Sequence, residues 1–124
     1  MEKTCPFCNW GKSPLLMNSL AFAIYDKYPV TEGHTLIIPK RHYSDFFDSN
    51  KEERNAILSL LWEAKSFLDG KYKPDGYNVG INSGITAGQT ILHFHVHLIP
   101  RYKGDMEDPR GGVRGVIPAK QKYP

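Results

Sequence analysis

Gln89-Thr90-Ile91-Leu92-His93-Phe94-His95-Val96-His97-Leu98-Ile99 holds three of the five histidines in the chain, each separated from the next by one apolar residue. Successive side chains of a strand point to opposite faces, so this stretch reads as a strand with His93, His95 and His97 on one face. Leu92, Phe94, Val96 and Leu98 then line the other face and fasten it to a core. Residues two apart on a strand lie roughly 6.5–7 Å from each other, which makes a wall of imidazoles that titrate near neutral pH. Three readings of that wall are open: a metal site with imidazole ligands, nucleophilic catalysis by one imidazole oriented by its neighbours, or three polar residues on a half-buried strand.

Upstream of this strand, Ser83-Gly84-Ile85-Thr86-Ala87-Gly88 is a small-residue loop rich in backbone donors, of the kind that wraps phosphate oxygens. Tyr77–Asn82 reads as a strand after the turn Pro74-Asp75-Gly76. Before it, Ile57, Leu60, Leu61, Ala64, Phe67 and Leu68 recur at helical spacing and predict a helix over about 50–69. Ser49 and Glu52 form a capping-box pattern at its start, and Gly70 is the expected stop. Leu15–Met17, Leu20–Tyr25 and His34–Ile38 read as three more strands, with Asn18-Ser19 as a turn and Asp26, Pro29 and Pro39 as breaks. About five antiparallel strands with one face covered by one main helix make an α+β domain.

The chain has 124 residues, enough for one ordinary core. It contains no apolar run of the ~20 residues that a membrane span needs, and its first residues lack the apolar stretch of a secretory leader. The expectation is a cytoplasmic protein with reduced thiols and no membrane partner. Cys5-Pro6-Phe7-Cys8 reads as half a metal site or a redox motif; the redox reading lacks a βαβ context, and the metal reading needs two more ligands. The net charge is +3, and residues 1–100 balance at ten cations and ten anions. The surplus lies in residues 101–124, with six cations against three anions, spread too thinly to make a nucleic-acid surface. That tail has no periodicity and reads as an extended or partly disordered arm, giving a domain over 1–103 and a basic Gly/Pro-containing tail over 104–124.

The histidine stretch resembles the signature of the histidine triad (HIT) proteins, His-φ-His-φ-His-φ-φ. Asp26 with Gly33-His34-Thr35-Leu36-Ile37-Ile38-Pro39-Lys40 is similar to a second block of that family, and Asn82, eleven residues before His93, to a third. The resemblance covers roughly residues 5–102 and implies a nucleotide-binding enzyme that splits a bond at an α-phosphate. It implies His95 as the nucleophile, His97 as the holder of phosphate oxygens, and His34 and His93 as residues that brace the triad. It further implies phosphate-chain donors at Asn82, Gln89, Thr90 and the backbone near Gly88, with a loop role for Gln89 as the alternative. Asp26 would accept from the ribose, and Phe7, Trp10 and Ile24 would hold a purine, adenine as first choice. Some relatives bind structural zinc, and the corresponding residues here are Cys5, Cys8, His42 and His93. The continuation Pro100-Arg101-Tyr102-Lys103 looks more like the diadenosine polyphosphate hydrolase branch, with Arg101 and Lys103 meeting distal phosphates; phosphoramidases and nucleotidyltransferases are the alternatives. The resemblance also implies a homodimer.

Overall fold

A computed structural model describes residues 4–124; the first three residues, read above as part of a start without a leader, lie outside them. Five strands form one sheet: β1 (Leu16–Met17), β2 (Ala21–Tyr25), β3 (Thr35–Pro39), β4 (Gly76–Gly80) and β5 (Val96–Arg101). Their spatial order is β1-β2-β3-β5-β4, and every neighbouring pair is antiparallel. One long helix, α1 (Lys51–Tyr72), connects β3 to β4. The expected α+β architecture of five strands and one helix is therefore the observed one.

Alternation along the strands divides the core in two. Ala21, Ala23, Ile37, Val96 and Leu98 face α1 and pack on Ile57, Leu60, Ala64 and Leu68. The opposite face of the same strands carries Phe22, Ile24, Leu36 and Ile38, which pack under the N-terminal segment through Cys5, Phe7 and Trp10. All five residues of β3 are buried, because this strand lies centrally and is covered on both sides. Each buried aliphatic side chain contributes roughly 1.5–3 kcal/mol of transfer free energy, so the N-terminal segment is held by apolar burial as well as by any bond it makes.

The local differences from the sequence expectation have physical causes. The capping box uses Asn50 and Glu53, one residue later than the Ser49–Glu52 pair. Ser49 is already committed, its hydroxyl donating to the Phe46 carbonyl at 2.6 Å to close a preceding 3-10 turn. The helix also runs past Gly70 to Tyr72, whose hydroxyl meets that of Tyr25 at 3.1 Å and whose ring sits edge-on against it. That packing fixes the last turn, and Lys73 rather than glycine takes the left-handed closing position at φ 53°. Strand β5 begins only at Val96, since the chain bends at 91–93, and Leu92 consequently faces solvent instead of the core. The tail is not an extended arm: it forms 3-10 turns at Gly112–Val116 and Pro118–Lys120, and the first of these packs on β4. Glycines at 111 and 115 permit this, because a side chain at either would collide with Gln121.

A left-handed lysine costs about 1–2 kcal/mol relative to a relaxed backbone, partly offset by the extra freedom that glycine gives the unfolded chain. Lys73→Gly is therefore expected to stabilise the protein by roughly 0.5–1 kcal/mol. A urea melt in which the midpoint stays or falls would contradict this account of the helix end.

Candidate active site

Antiparallel pairing sets His97 of β5 beside Leu36 of β3 and Gly80 of β4, so its side chain stands on the face away from α1. His95 and His93 precede the strand, but alternation already holds there: Phe94 between them is buried in the α1-side core, stacked with Tyr43 and Phe46. The Phe7 ring lies 5.8 Å from that of His93 and 5.1 Å from that of His95, and the His95 and His97 rings are 5.1 Å apart. His34, at the mouth of β3, completes the row, its Nε2 2.9 Å from Nδ1 of His97.

Hydrogen-bond partners fix the tautomer of each ring. His95 Nδ1 lies 2.8 Å from the His93 carbonyl, which can only accept, so Nδ1 carries the proton and Nε2 a lone pair. His34 Nδ1 accepts from the backbone N–H of Val30 at 3.0 Å, so its proton is on Nε2 and points at His97 Nδ1. His97 in turn keeps its proton on Nε2, as a donor. Asp26 Oδ2 sits 3.4 Å from His34 Nε2 and 4.0 Å from His97 Nδ1. Asp26, His34 and His97 together have the composition of a metal site. The Val30 hydrogen bond argues against that use, because it leaves no lone pair on His34 Nε2.

Burial dominates the titration of these rings. It pushes His95 below the ordinary imidazole range, opposed by the hydrogen bond to the His93 carbonyl and by Asp26. His34 is lowered by burial with Asp26 opposing. His97 is lowered furthest, to about 4, by burial and then by the neighbouring His95 and His34. The row is neutral at pH 7: it presents one lone pair on His95 and one N–H on His97, neither with a hydrogen-bond partner among the described residues.

These rings line a cavity of about 610 Å³. Seven of the expected nucleotide-binding residues are brought to it: Phe7, Trp10 and Ile24 as an apolar wall, Asp26 at one edge, and Asn82, Gly88 and Thr90 around the other. Gln89 is not among them. It is buried, its amide NH₂ donates to the carbonyls of Ser44 and Ile91, and its oxygen accepts from the Gly84 N–H, so it staples the loop. The backbone amides of Ala87, Gly88 and Gln89 are likewise spent on carbonyls of the same loop and do not cradle phosphate. Arg101 is tied to Asp105 through two nitrogens and to Asn78 at 2.7 Å. Sequence reasoning missed Val30, which orients His34 by its main chain; no side-chain pattern signals such a role. It also missed Lys27 and Tyr28, which line the cavity from the turn after Asp26.

Next to this cavity, the expected metal ligands converge. Cys5 Sγ and Cys8 Sγ lie 3.4 and 3.5 Å from His93 Nδ1, and His42 Nδ1 lies 3.2 Å from Cys8 Sγ and 3.1 Å from His93 Nδ1. A tetrahedral zinc places its nitrogens about 3.3 Å apart and its sulfur–nitrogen pairs about 3.6 Å apart, given the usual bond lengths. His93 Nε2 donates to the Pro39 carbonyl at 2.8 Å, so its Nδ1 lone pair points into the cluster. Two imidazole nitrogens in contact there require a shared proton or a cation. The donor set is compatible with zinc, since two thiols and two imidazoles would make a complete tetrahedral set.

The HIT domain pattern matches residues 12–104 of the chain. An uncharacterized HIT-like protein of Mycoplasma genitalium is 37% identical over 112 residues, covering 83% of this chain and 79% of its own. An AP-4-A phosphorylase of Mycobacterium tuberculosis is 33% identical over 69% of this chain, and adenylylsulfatase HINT3 of Arabidopsis thaliana is 33% identical over 85%. The match spans only 45% and 56% of those two proteins. Among solved structures, a HIT family protein from Bacillus anthracis superposes with a TM-score of 0.77 at 35% identity, covering 85% of this chain and 78% of its own. A Zn-bound histidine triad family protein from Mycobacterium smegmatis superposes at 0.73 with 31% identity, over 85% and 80%. With its histidine row, its five-stranded sheet and most of its length accounted for by that pattern, the chain belongs to the HIT domain family.

Proposed function

We propose that the protein hydrolyses nucleoside 5′-phosphate derivatives at the α-phosphorus through a covalent nucleotidyl-His95, releasing a nucleoside monophosphate. One observation carries the reading: the 2.8 Å bond from His95 Nδ1–H to the His93 carbonyl, which leaves Nε2 as a neutral nucleophile in the cavity wall. Two relatives named for adenine nucleotide derivatives, the AP-4-A phosphorylase and the adenylylsulfatase, support it.

In the first step the Nε2 lone pair forms a bond to phosphorus and the bond to the leaving group breaks. The departing atom keeps the electron pair and takes a proton from water. His97 Nε2–H donates to a non-bridging oxygen as negative charge builds there, which is the preorganised electrostatic help a phosphoryl centre needs. His34 holds His97 in that tautomer through their 2.9 Å contact. In the second step a water oxygen bonds to phosphorus, the N–P bond breaks, its electron pair returns to Nε2, and the water's proton passes to solvent. Asn82 and Thr90 supply side-chain donors at the phosphate, Asp26 faces the ribose, and Phe7, Trp10 and Ile24 enclose the base, adenine as first choice.

The leaving group is the finer question. A dinucleoside polyphosphate needs cations along its distal phosphates. Arg101 does not supply one, being held by Asp105 and Asn78 and paired opposite Gly76. It stands four residues beyond His97, about 13 Å along the strand. This favours a phosphoramidate, or another derivative without a long phosphate chain, over the polyphosphate. Zinc at Cys5, Cys8, His42 and His93 belongs to the proposal as a cross-link that ties the N-terminal segment to the histidine row. A homodimer and a cytoplasmic location are carried with the same reading.

Three outcomes are expected. His95→Ala lowers kcat on adenosine 5′-phosphoramidate and on diadenosine tetraphosphate by about 10³ or more, the usual loss when a covalent nucleophile is removed; equal rates for variant and wild type would sink the enzyme reading. The wild type binds about one zinc per chain on this coordination argument, and Cys8→Ser binds less. Because Phe7, between the two cysteines, touches His93 and His95, chelation also lowers the melting temperature and weakens AMP binding. Unchanged metal content in Cys8→Ser, or AMP affinity indifferent to chelation, would refute the cross-link. The third concerns pH. Burial holds His97 down to about 4 against the ordinary 6.5, so between those values the unfolded chain binds a proton that the folded chain does not. Stability therefore rises with pH across that window and levels above it, by on the order of 3 kcal/mol from this group. His97→Asn flattens the slope; a slope as steep in the variant as in the wild type would refute it.

A further inference from the structure

A second chamber, of about 980 Å³, opens from the nucleotide cavity on the side of Asp26. The two spaces share Trp10, Ile24, Tyr25, Asp26 and Lys27. Beyond that border the lining is residues 11–15 in place of the histidines. Both walls are fixed by main-chain bonds. The Leu15 N–H donates to the Ala23 carbonyl at 2.8 Å, which lays residues 10–15 beside β2, and Trp10 packs on the core under that strand. Opposite, the Asp26 N–H donates to the His34 carbonyl at 2.9 Å. Asp26 Oδ1 accepts from the Tyr28 N–H at 2.8 Å and so closes the turn that carries Lys27.

Charge is distributed unevenly over the joined spaces. Among the described residues that line them, Lys12 and Lys27 are the only lysines or arginines, and both line the chamber. Neither has an ion-pair partner among the described residues; Lys27 Nζ rests 5.8 Å over the ring of Tyr28. Ser13 adds an exposed hydroxyl. The Tyr25 hydroxyl is engaged elsewhere, accepting from Tyr72 and Lys71 at the end of α1. Two cations thus face one carboxylate, Asp26, in the chamber, while the end of the nucleotide cavity at His95 and His97 carries no charge.

We propose that this chamber is a subsite for a phosphate carried on the 2′- or 3′-oxygen of the ribose, and that the protein prefers nucleotides phosphorylated there over those with a free 2′,3′-diol. The inference rests on the nucleotide reading above, in which Asp26 faces the ribose, the base lies with Phe7 and Trp10, and the 5′-phosphate lies at His95. A ribose so placed turns its 2′- and 3′-oxygens to the border that the two spaces share. The Asp26 carboxylate already meets the Tyr28 N–H through Oδ1 and stands 3.4 Å from His34 Nε2 through Oδ2. One ribose hydroxyl is enough to complete it, and the other oxygen is free to carry a substituent. A phosphate in the chamber then meets a lysine from each wall, whose combined charge outweighs the repulsion from Asp26. Lysine, a compact charge on a flexible stem, follows a phosphate on either oxygen without the fixed geometry that arginine imposes.

Calorimetric titration of the full chain with 5′-AMP, adenosine 3′,5′-bisphosphate, adenosine 2′,5′-bisphosphate and 5′-ADP tests this. The last matches the bisphosphates in its added phosphate but carries it at the other end of the molecule. At least one bisphosphate is expected to bind about tenfold more tightly than 5′-AMP, the product of two exposed charge contacts worth a few-fold each; the tighter isomer identifies the oxygen. The preference fades at about 1 M salt, where the screening length falls to about 3 Å. Lys12→Gln lowers the ratio of bisphosphate to 5′-AMP affinity by about threefold, Lys12→Arg keeps it, and Lys12→Glu removes it. The affinity for 5′-AMP in the same samples reports whether each variant is folded. Equal binding of 5′-AMP and both bisphosphates would overturn the subsite, as would a preference that 5′-ADP shares in full or that Lys12→Glu leaves intact. Failure of the wild type to bind 5′-AMP would instead remove the nucleotide reading, and this inference with it.

Discussion

The hydrogen bond from His95 Nδ1–H to the carbonyl two residues behind it is the constraint on which the site depends. A neutral imidazole has two tautomers, and only one puts a lone pair on the nitrogen that faces the cavity. A carbonyl is a better guarantor of that tautomer than a carboxylate, because it accepts without adding the charge that would draw a proton onto the ring. The bond works only if the peptide at His93 stays where it is. His93 is fully buried, its Nε2–H given to Pro39 at the end of β3 and its Nδ1 to the Cys5–Cys8–His42 cluster. His95, the proposed nucleophile, is thus positioned by the far end of the sheet and by the N-terminal segment.

That dependence explains the two-sided sheet. One face is covered by α1 through ordinary aliphatic packing, and its only duty to the site is to hold β3 and β5 in register. The other is covered by six or so residues of N-terminal chain, too few to stay down on burial alone. At the point where that segment meets His93, the Phe7 ring packs edge-on against both His93 and His95, and the proposed zinc would tie the segment down there. The proposed base pocket and the proposed nucleophile therefore meet at one residue, Phe7.

Much of this was legible in the sequence, and the rest failed for identifiable reasons. Side-chain alternation placed the three histidines together, and spacing found α1. The cluster of Cys5, Cys8, His42 and His93 is drawn from three distant segments, so only the family resemblance assembled it. What stayed hidden was mostly main-chain chemistry. Val30 acts through its N–H, and the amides of Ala87, Gly88 and Gln89 look available in a sequence but are consumed by the loop's own turn. Gln89 reads as a free donor until its three loop partners are known. Ser49 and Asn50 are equally good caps on paper, and the choice was made by a preceding 3-10 turn that no periodicity announces.

The tail shows the same limit in electrostatics. Counting charges assigns residues 101–124 a cationic character suited to anions. In the folded chain Arg101 answers Asp105, Arg110 and Lys122 flank Asp108, and Arg114 caps main-chain carbonyls. Four of the six cations are thus engaged, mostly within the segment itself, and the surface it turns toward His97 is made of valine and glycine. Net charge describes what a segment carries; which chemistry it offers a substrate is decided by where its backbone turns, and here glycines at 111, 112 and 115 decide it.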